Sequence, residues 1–193
     1  MNSMFYRAEK FNSDIGNWNV SKVTSMTRLF NGATIFNQDI SKWDVSNVNS
    51  FSNMFNGTQN FNQNLNSWNV SNVTNMSNMF YFAKSFNQPL NNWNVSNVKT
   101  MNYMFCGAKM FNQNISSWNF DNIINCDYMF NNAKAFLDKY NSGEPLPKYT
   151  DDIKFWVNIN RDRMNAINIK EKHGKEVDSF FSNFSNKEIS KEI

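Results

Sequence analysis

Apolar and polar positions recur along this chain with a period of 25 residues, and no insertion or deletion separates the copies. The phrase FNQDISKWDVSNV begins at Phe36, and closely similar phrases begin at residues 11, 61, 86 and 111. Internal repetition of this kind decides the fold before any other signal is weighed. Three aromatic columns follow the repeat: Trp18, Trp43, Trp68, Trp93 and Trp118; Phe5, Phe30, Phe55, Phe80, Phe105 and Phe130; Phe11, Phe36, Phe61, Phe86, Phe111 and Phe136. We predict that these columns, the Trp column above all, form the structural core.

Two periodicities follow each other within one copy, residues 76–100. Residues 76–83 place their apolar side chains at i, i+3, i+4 and i+7, which is one face of a short helix. Residues 90–98 alternate apolar and polar side chains, which is typical of a strand with one buried face. A single copy cannot bury its apolar side, so the copies must stack. The prediction is an α/β repeat solenoid with one short parallel strand and one short helix per coil.

The regular pattern covers residues 1–136, about five and a half coils, and fails after Ala133. Of the 35 charged residues, 21 lie beyond that point. The segment YNSGEPLPKYTDD reads as a linker, Thr150 and Asp151 are helix-capping residues, and the final SNKEISKEI is expected to fray. A helical spacing recurs near the end, at Val177, Phe180, Phe181 and Phe184. We predict that residues 137–193 form a linker and a C-terminal helical cap or tail covering the apolar end of the solenoid; a separate interaction domain is the alternative.

Asparagine supplies 38 of the 193 residues, and much of it lies in columns. One column, in the turn between predicted helix and strand, is expected to satisfy backbone groups of its own turn and of the next coil: Asn12, Asn37, Asn62, Asn87 and Asn112. A second column lies between Trp and Val of the predicted strand and should point outward. Outward positions of the Trp phrase are the candidate partner-binding residues: Asn19, Lys42, Asp44, Ser46, Asn69, Asn94 and Asn119.

Composition argues against several classes of function. The net charge is +3 with no basic block, so we predict no nucleic-acid partner. The chain has one histidine, His173, and its two cysteines, Cys106 and Cys126, form neither a disulfide framework nor a metal pattern. Cys126 occupies an otherwise Met- and Phe-filled column, so it is expected to be a core residue. We predict no catalytic, cofactor or metal site, no small-molecule substrate, no enzymatic activity and no transmembrane segment.

The phrase MSNMFYFAKSFNQPLNNWNVSNVKT resembles the 25-residue repeat of bacterial BspA-like leucine-rich repeat surface proteins, the mycoplasma-type group known as DUF285. The matching elements are Phe-Asn-Gln, Trp-(Asn/Asp)-Val-Ser-Asn-Val and Met-Phe-x-x-Ala, over residues 1 to about 136. The spacing Leu90-x-x-Trp93-x-Val95 is also similar to the Leu-x-x-Leu-x-Leu spacing that forms the strands of leucine-rich repeats. The resemblance therefore implies a leucine-rich-repeat-like solenoid. The resemblance implies a cell-surface, secreted or lipid-anchored protein (a lipoprotein) that binds host or matrix surface proteins or mediates adhesion. It carries no catalytic residues.

The predicted function is therefore a non-enzymatic protein-binding or adhesion module. The alternative is a structural spacer or scaffold segment of a larger protein. An ice-binding function, in which a regular polar array orders water, is disfavoured because the outward column holds Asn and not Thr. The chain begins inside a repeat and shows no export signal, so an intracellular location stays open beside the surface location. Aromatic residues on the outer side of the predicted helices vary between copies. Either they determine binding specificity or the sequence drifts at these solvent-exposed positions: Tyr6, Tyr81, Phe82, Tyr103 and Tyr128.

Overall fold

A computed structural model describes residues 1–141 and 148–188 of the chain, with side chains up to residue 175 except that of 159. Its helices are α1, Lys134–Tyr140, and α2, Thr150–Glu188, which both follow the repeats. The described part contains no strand longer than an isolated parallel bridge. These bridges pair residues 25 apart: Ser25 with Ser50, Ser50 with Asn75, Asn75 with Thr100, and Thr100 with Asn125. The predicted α/β repeat solenoid, with a helix and a strand in every coil, is therefore wrong.

The repeats stack as successive turns, and we call each folded repeat, starting at residues 1, 26, 51, 76, 101 and 126, a rung. At alternate positions of a rung, backbone N–H groups donate to carbonyl oxygens of the next rung. Asn78 donates to Asn102 and Phe80 donates to Met104, both with N–O distances of 2.9 Å. These bonds hold neighbouring rungs parallel and in register.

The intervening N–H groups explain why no helix forms at residues 76–83. Met79 and Tyr81 donate to the carbonyls three residues back, those of Met76 and Asn78, with N–O distances of 3.2 Å. Asn78 and Phe82 have φ of 56° and 52°, in the left-handed region. An α-helix needs right-handed backbone throughout and bonds to the fourth residue back. A ribbon of three-residue turns also brings i, i+3, i+4 and i+7 to one side, so it satisfies the same apolar spacing.

The predicted strand at residues 90–98 is also made of turns. Trp93 N–H donates to the Leu90 carbonyl at 3.2 Å, and Val98 N–H donates to the Val95 carbonyl at 2.9 Å. Because these amides bond within the rung, they form no ladder with the neighbouring rungs. The spacing shared with leucine-rich repeats therefore does not produce a strand here.

The core is a double column of phenylalanine rings that runs through all six rungs. The two rings of one rung stack with centroids 3.8–4.3 Å apart. Equivalent rings of successive rungs stack at 5.5–6.2 Å. Both columns are buried from Phe30 onward, whereas Phe5 and Phe11 of the first rung are only partly buried. The stacking expected from the 25-residue period is thus present.

Helix α2 covers the end of the last rung. The Trp156 ring lies 6.1 Å from the Phe130 ring and 5.8 Å from the Phe136 ring, between centroids. The Cys126 N–H donates to Thr150 Oγ1 at 3.0 Å, and the Tyr128 N–H donates to the Lys148 carbonyl. In the earlier rungs the equivalent N–H groups donate to the next rung. The start of α2 therefore replaces a further rung.

The division between residues 136 and 137 stays a prediction, because α1 runs across it. Residues 142–147 of the predicted linker lie outside the described residues. So do the side chains of Val177, Phe180, Phe181 and Phe184, and residues 189–193 of the predicted frayed end.

Candidate functional site

An exposed row of Asn and Asp side chains runs along the stack with one member in each of five rungs. We call it the Asx row: Asn19, Asp44, Asn69, Asn94 and Asn119. Each Oδ1 accepts the backbone N–H two residues ahead, at 2.8–3.2 Å. In the first three members the residue two ahead is a serine, and its hydroxyl also donates to the Oδ1 atom, at 2.6–2.7 Å. These Asx turns orient the side chains, so the row is a rigid feature of the surface.

The other two candidate binding residues lie in the second rung beside Asp44. Ser46 is the donor of the Asp44 turn, and its side chain is only partly exposed. Lys42 is exposed and lies close enough to Asp39 to influence its ionisation. All seven predicted residues are thus exposed or partly exposed, and both of their charges lie in the second rung.

Hydrogen bonds to the turn carboxylates favour their ionised form. The Ser46 hydroxyl, followed by the Ser46 N–H, holds the pKa of Asp44 below its usual value. The Ser41 N–H, followed by the Ser41 hydroxyl and then the charge of Lys42, lowers the pKa of Asp39. Both carboxylates therefore act as charged acceptors in their turns.

Replacing Ser46 with alanine is expected to raise the pKa of Asp44 toward its ordinary value and to leave that of Asp39 unchanged. Because the folded pKa is lowered, the turn's contribution to stability is present above the unfolded pKa and is lost as pH falls through the folded pKa. An NMR titration of the carboxyl carbons measures both groups in one sample. An unaltered Asp44 titration in Ser46→Ala would show that the hydroxyl is not the cause.

The tryptophan column is buried in four of its five members. Trp43, Trp68, Trp93 and Trp118 are 0–4% exposed, and each indole Nε1–H donates to a carbonyl of the preceding rung at 2.8–3.1 Å. Trp18 is 41% exposed. The difference arises because the described chain has no rung before the first, so Trp18 lacks both the cover and the acceptor that the others have.

The asparagine column in the turn between the predicted helix and strand, which we call the inner column, forms a hydrogen-bond ladder that links the rungs. The Oδ1 atoms of Asn12, Asn37, Asn62 and Asn87 each accept the backbone N–H of the next member, at 2.9–3.0 Å. The neighbouring glutamine Nε2 of the next rung donates to the same residue. The coil-to-coil role expected for this column is confirmed.

A second ladder was not anticipated from the sequence. The Nδ2 groups of Asn47, Asn72, Asn97 and Asn122 donate to serine carbonyls of the preceding rung at 2.7–2.9 Å. The conserved spacing in the Val-Ser-Asn-Val phrase was the signal for it. The Nδ2 groups of this exposed column are therefore used within the described rungs, whereas those of the four asparagines in the Asx row are not.

A family model described as Mycoplasma protein of unknown function, DUF285, matches residues 1–72 and 40–143. The chain belongs to the DUF285 family. The resemblance predicted from the 25-residue phrase is confirmed for this family. A search of curated proteins found no match, and neither did a search of solved structures.

Reactive and metal-binding side chains are sparse in the described DUF285 rungs and in the helices that follow them. In the described ranges, no three His, Cys, Asp or Glu side chains are grouped closely enough to hold a metal ion. Burial raises the pKa of the Cys126 thiol to about 11 and raises that of Cys106, so both are poor nucleophiles at neutral pH. His173 is exposed on α2. None of the helices described is long and apolar enough to span a membrane.

One surface feature of the DUF285 stack was missed as a site. A groove of about 860 Å³ lies where rungs 4 to 6 meet α1, and Phe82, Lys109, Lys134 and Leu137 are among its lining residues. In the sequence, Phe82 stands out only as one of the aromatic positions that vary between copies. The groove depends on residues from three rungs and a helix, so no local stretch of sequence reveals it.

Proposed function

We propose that this chain is a non-enzymatic protein-binding module, that its partner is a host or matrix surface protein, and that the Asx row is its contact surface. The observation that carries the proposal is the combination of exposure and rigidity along the row. Each Oδ1 is occupied by its own turn. The Nδ2 groups of the four asparagines have no hydrogen-bond partner in the described part of the chain and remain available as donors.

Pre-oriented donors favour binding to an extended protein surface. A side chain already held by its turn loses little conformational entropy when a partner binds. Repetition at each rung supplies several equivalent donors on one face, as extended binding surfaces of repeat proteins do. Lys42 and Asp44 add a charged pair in the second rung, which favours one register of the partner over others.

The test is a double substitution, Asn69→Asp with Asn94→Asp. Aspartate keeps the Oδ1 acceptor, as Asp44 does in its own turn, so the fold is expected to be retained. The change removes two Nδ2 donors and adds two negative charges. Binding to a panel of immobilised, purified extracellular-matrix proteins should weaken by about tenfold or more, while the melting temperature stays within a few degrees of wild type.

The matched control is Ser13→Asp with Asn60→Asp, which adds the same charge at two exposed positions outside the Trp-(Asn/Asp)-Val-Ser-Asn-Val phrase. It should bind as wild type does. Equal binding by all three proteins contradicts the assignment of the row. Absence of binding by any of them favours the second candidate, a structural spacer, which the unbroken hydrogen-bond ladders between rungs support.

A further inference from the structure

Two positions of every rung have left-handed backbone. The first position holds Ser3, Arg28, Asn53, Asn78, Tyr103 and Tyr128; the second holds Arg7, Gly32, Gly57, Phe82, Gly107 and Asn132. The non-glycine members have φ of 52–59°. Glycine and asparagine adopt this conformation at low cost, whereas larger side chains are disfavoured there. In the first three rungs, all six of these positions hold glycine or a polar residue.

In rungs 4 to 6 three of the six left-handed positions carry aromatic residues: Phe82, Tyr103 and Tyr128. The Tyr103 and Tyr128 rings stack with centroids 5.1 Å apart, and Tyr81 joins them to Phe82, at 6.2 Å from Tyr103 and 4.7 Å from Phe82. Tyr149, just before α2, continues the cluster 5.8 Å from Tyr128. Phe82 is 36% exposed and Tyr149 is 57% exposed. Left-handed positions thus carry aromatic rings in this half of the stack and not in the first three rungs, and strained positions of this kind cluster at functional sites.

Phe82 also forms the floor of the groove beside α1. Its ring lies over Gly107, where an added Cβ would meet ring atoms at 3.0–3.1 Å. Leu137 of α1 adds a second apolar wall. The glycine thus leaves room for the phenylalanine ring, and together they make an apolar floor open to solvent.

Two lysines lie at the rim of the groove, Lys109 and Lys134. They occupy the same position in rungs 5 and 6, where the first three rungs have Glu9, Thr34 and Gln59. Lys134 pairs with Asp138, which also lines the groove, at 2.6 Å. Lys109 is exposed and has no ion pair within the described part of the chain. The rim therefore carries two ammonium groups and one carboxylate.

We propose that this groove binds an acidic peptide segment of a partner protein, with one apolar side chain seated on Phe82 and Leu137 and a carboxylate on Lys109. Charge complementarity selects this partner, because the apolar floor is bordered by a net positive rim. A nucleic-acid strand fits less well: bases need free aromatic faces, whereas Tyr103 and Tyr128 stack on each other. This site shares no residue with the Asx row and goes beyond the function proposed for that row.

The test uses a fluorescein-labelled peptide, Glu-Glu-Asp-Leu-Phe-Asp-Glu-Glu, followed by fluorescence anisotropy. Wild type should bind it, and it should not bind a peptide in which lysines replace the acidic residues. Phe82→Gly installs the residue that three other rungs have at this position, so the melting temperature should be unchanged or higher. The same variant should bind the peptide about tenfold more weakly or worse. Lys109→Glu should have an effect of similar size.

The controls are Tyr6→Asn, which removes an exposed aromatic residue from the first rung, and Lys22→Glu, which reverses an exposed charge far from the groove. Both should bind the peptide as wild type does. The proposal is overturned if wild type fails to bind the acidic peptide, if Phe82→Gly and Lys109→Glu bind like wild type, or if single-stranded oligothymidylate binds equally well and competes. Matrix-protein binding by the groove variants separates the two proposals, since it should persist in them and be lost only with the Asx-row substitutions.

Discussion

Replacing Trp93 with alanine is expected to lower the free energy of unfolding by about 3–5 kcal/mol. Trp93 is 3% exposed, and its ring stacks on Trp118 with a centroid distance of 6.3 Å and an interplanar angle of 2°. Its indole N–H donates to the Leu65 carbonyl at 2.8 Å. The substitution removes the buried ring, leaves a cavity between two rungs and removes one of the two donors of the Leu65 carbonyl, which keeps the Trp68 N–H at 3.0 Å.

The matched control is Trp18→Ala, since Trp18 is the same residue of the repeat without a covering rung. With 41% of its surface exposed, its replacement should cost about 1 kcal/mol or less. Equilibrium unfolding in urea, followed by circular dichroism, measures both variants. Equal losses for the two would show that burial by the preceding rung is not what makes the column stabilising.

Replacing Asn87 with leucine is expected to lower the free energy of unfolding by about 2 kcal/mol or more. Asn87 Oδ1 accepts the Asn112 N–H at 3.0 Å and the Gln113 Nε2 group at 2.7 Å. Leucine has a similar volume and no side-chain acceptor, so the Asn112 N–H loses its partner, whereas Gln113 Nε2 keeps its hydrogen bond to the backbone carbonyl of residue 87. The loss is costly because the half-buried backbone N–H cannot turn toward water as a side chain can.

Asn87→Asp provides the control for this variant. Aspartate keeps an oxygen where the ladder needs an acceptor, and its charge strengthens the hydrogen bonds it receives. At neutral pH the loss should stay below about 1 kcal/mol. If aspartate destabilises the chain as much as leucine does, the ladder is not the source of the stability that Asn87 provides.

The repeat period, the aromatic columns, the inner asparagine ladder and the family could all be read from the sequence. Each depends on residue type recurring at a fixed interval, which requires no knowledge of the backbone. The helix and strand of each coil were predicted wrongly, because apolar spacing reports which side chains are buried and not where the N–H groups bond. Gly32, Gly57 and Gly107, with Asn53 and Asn78, were a signal for the left-handed positions that interrupt the predicted helix.

By itself, the sequence determined that one 25-residue unit is stacked on copies of itself, because identical columns can be buried only by equivalent neighbours. Tertiary structure alone decided which copies of a residue are covered. Trp18 and Trp93 lie in nearly the same phrase, yet only Trp93 has a rung before it that buries its ring and accepts its N–H. The groove at Phe82 likewise exists only after stacking, because its floor and its lysine rim come from separate rungs and from α1.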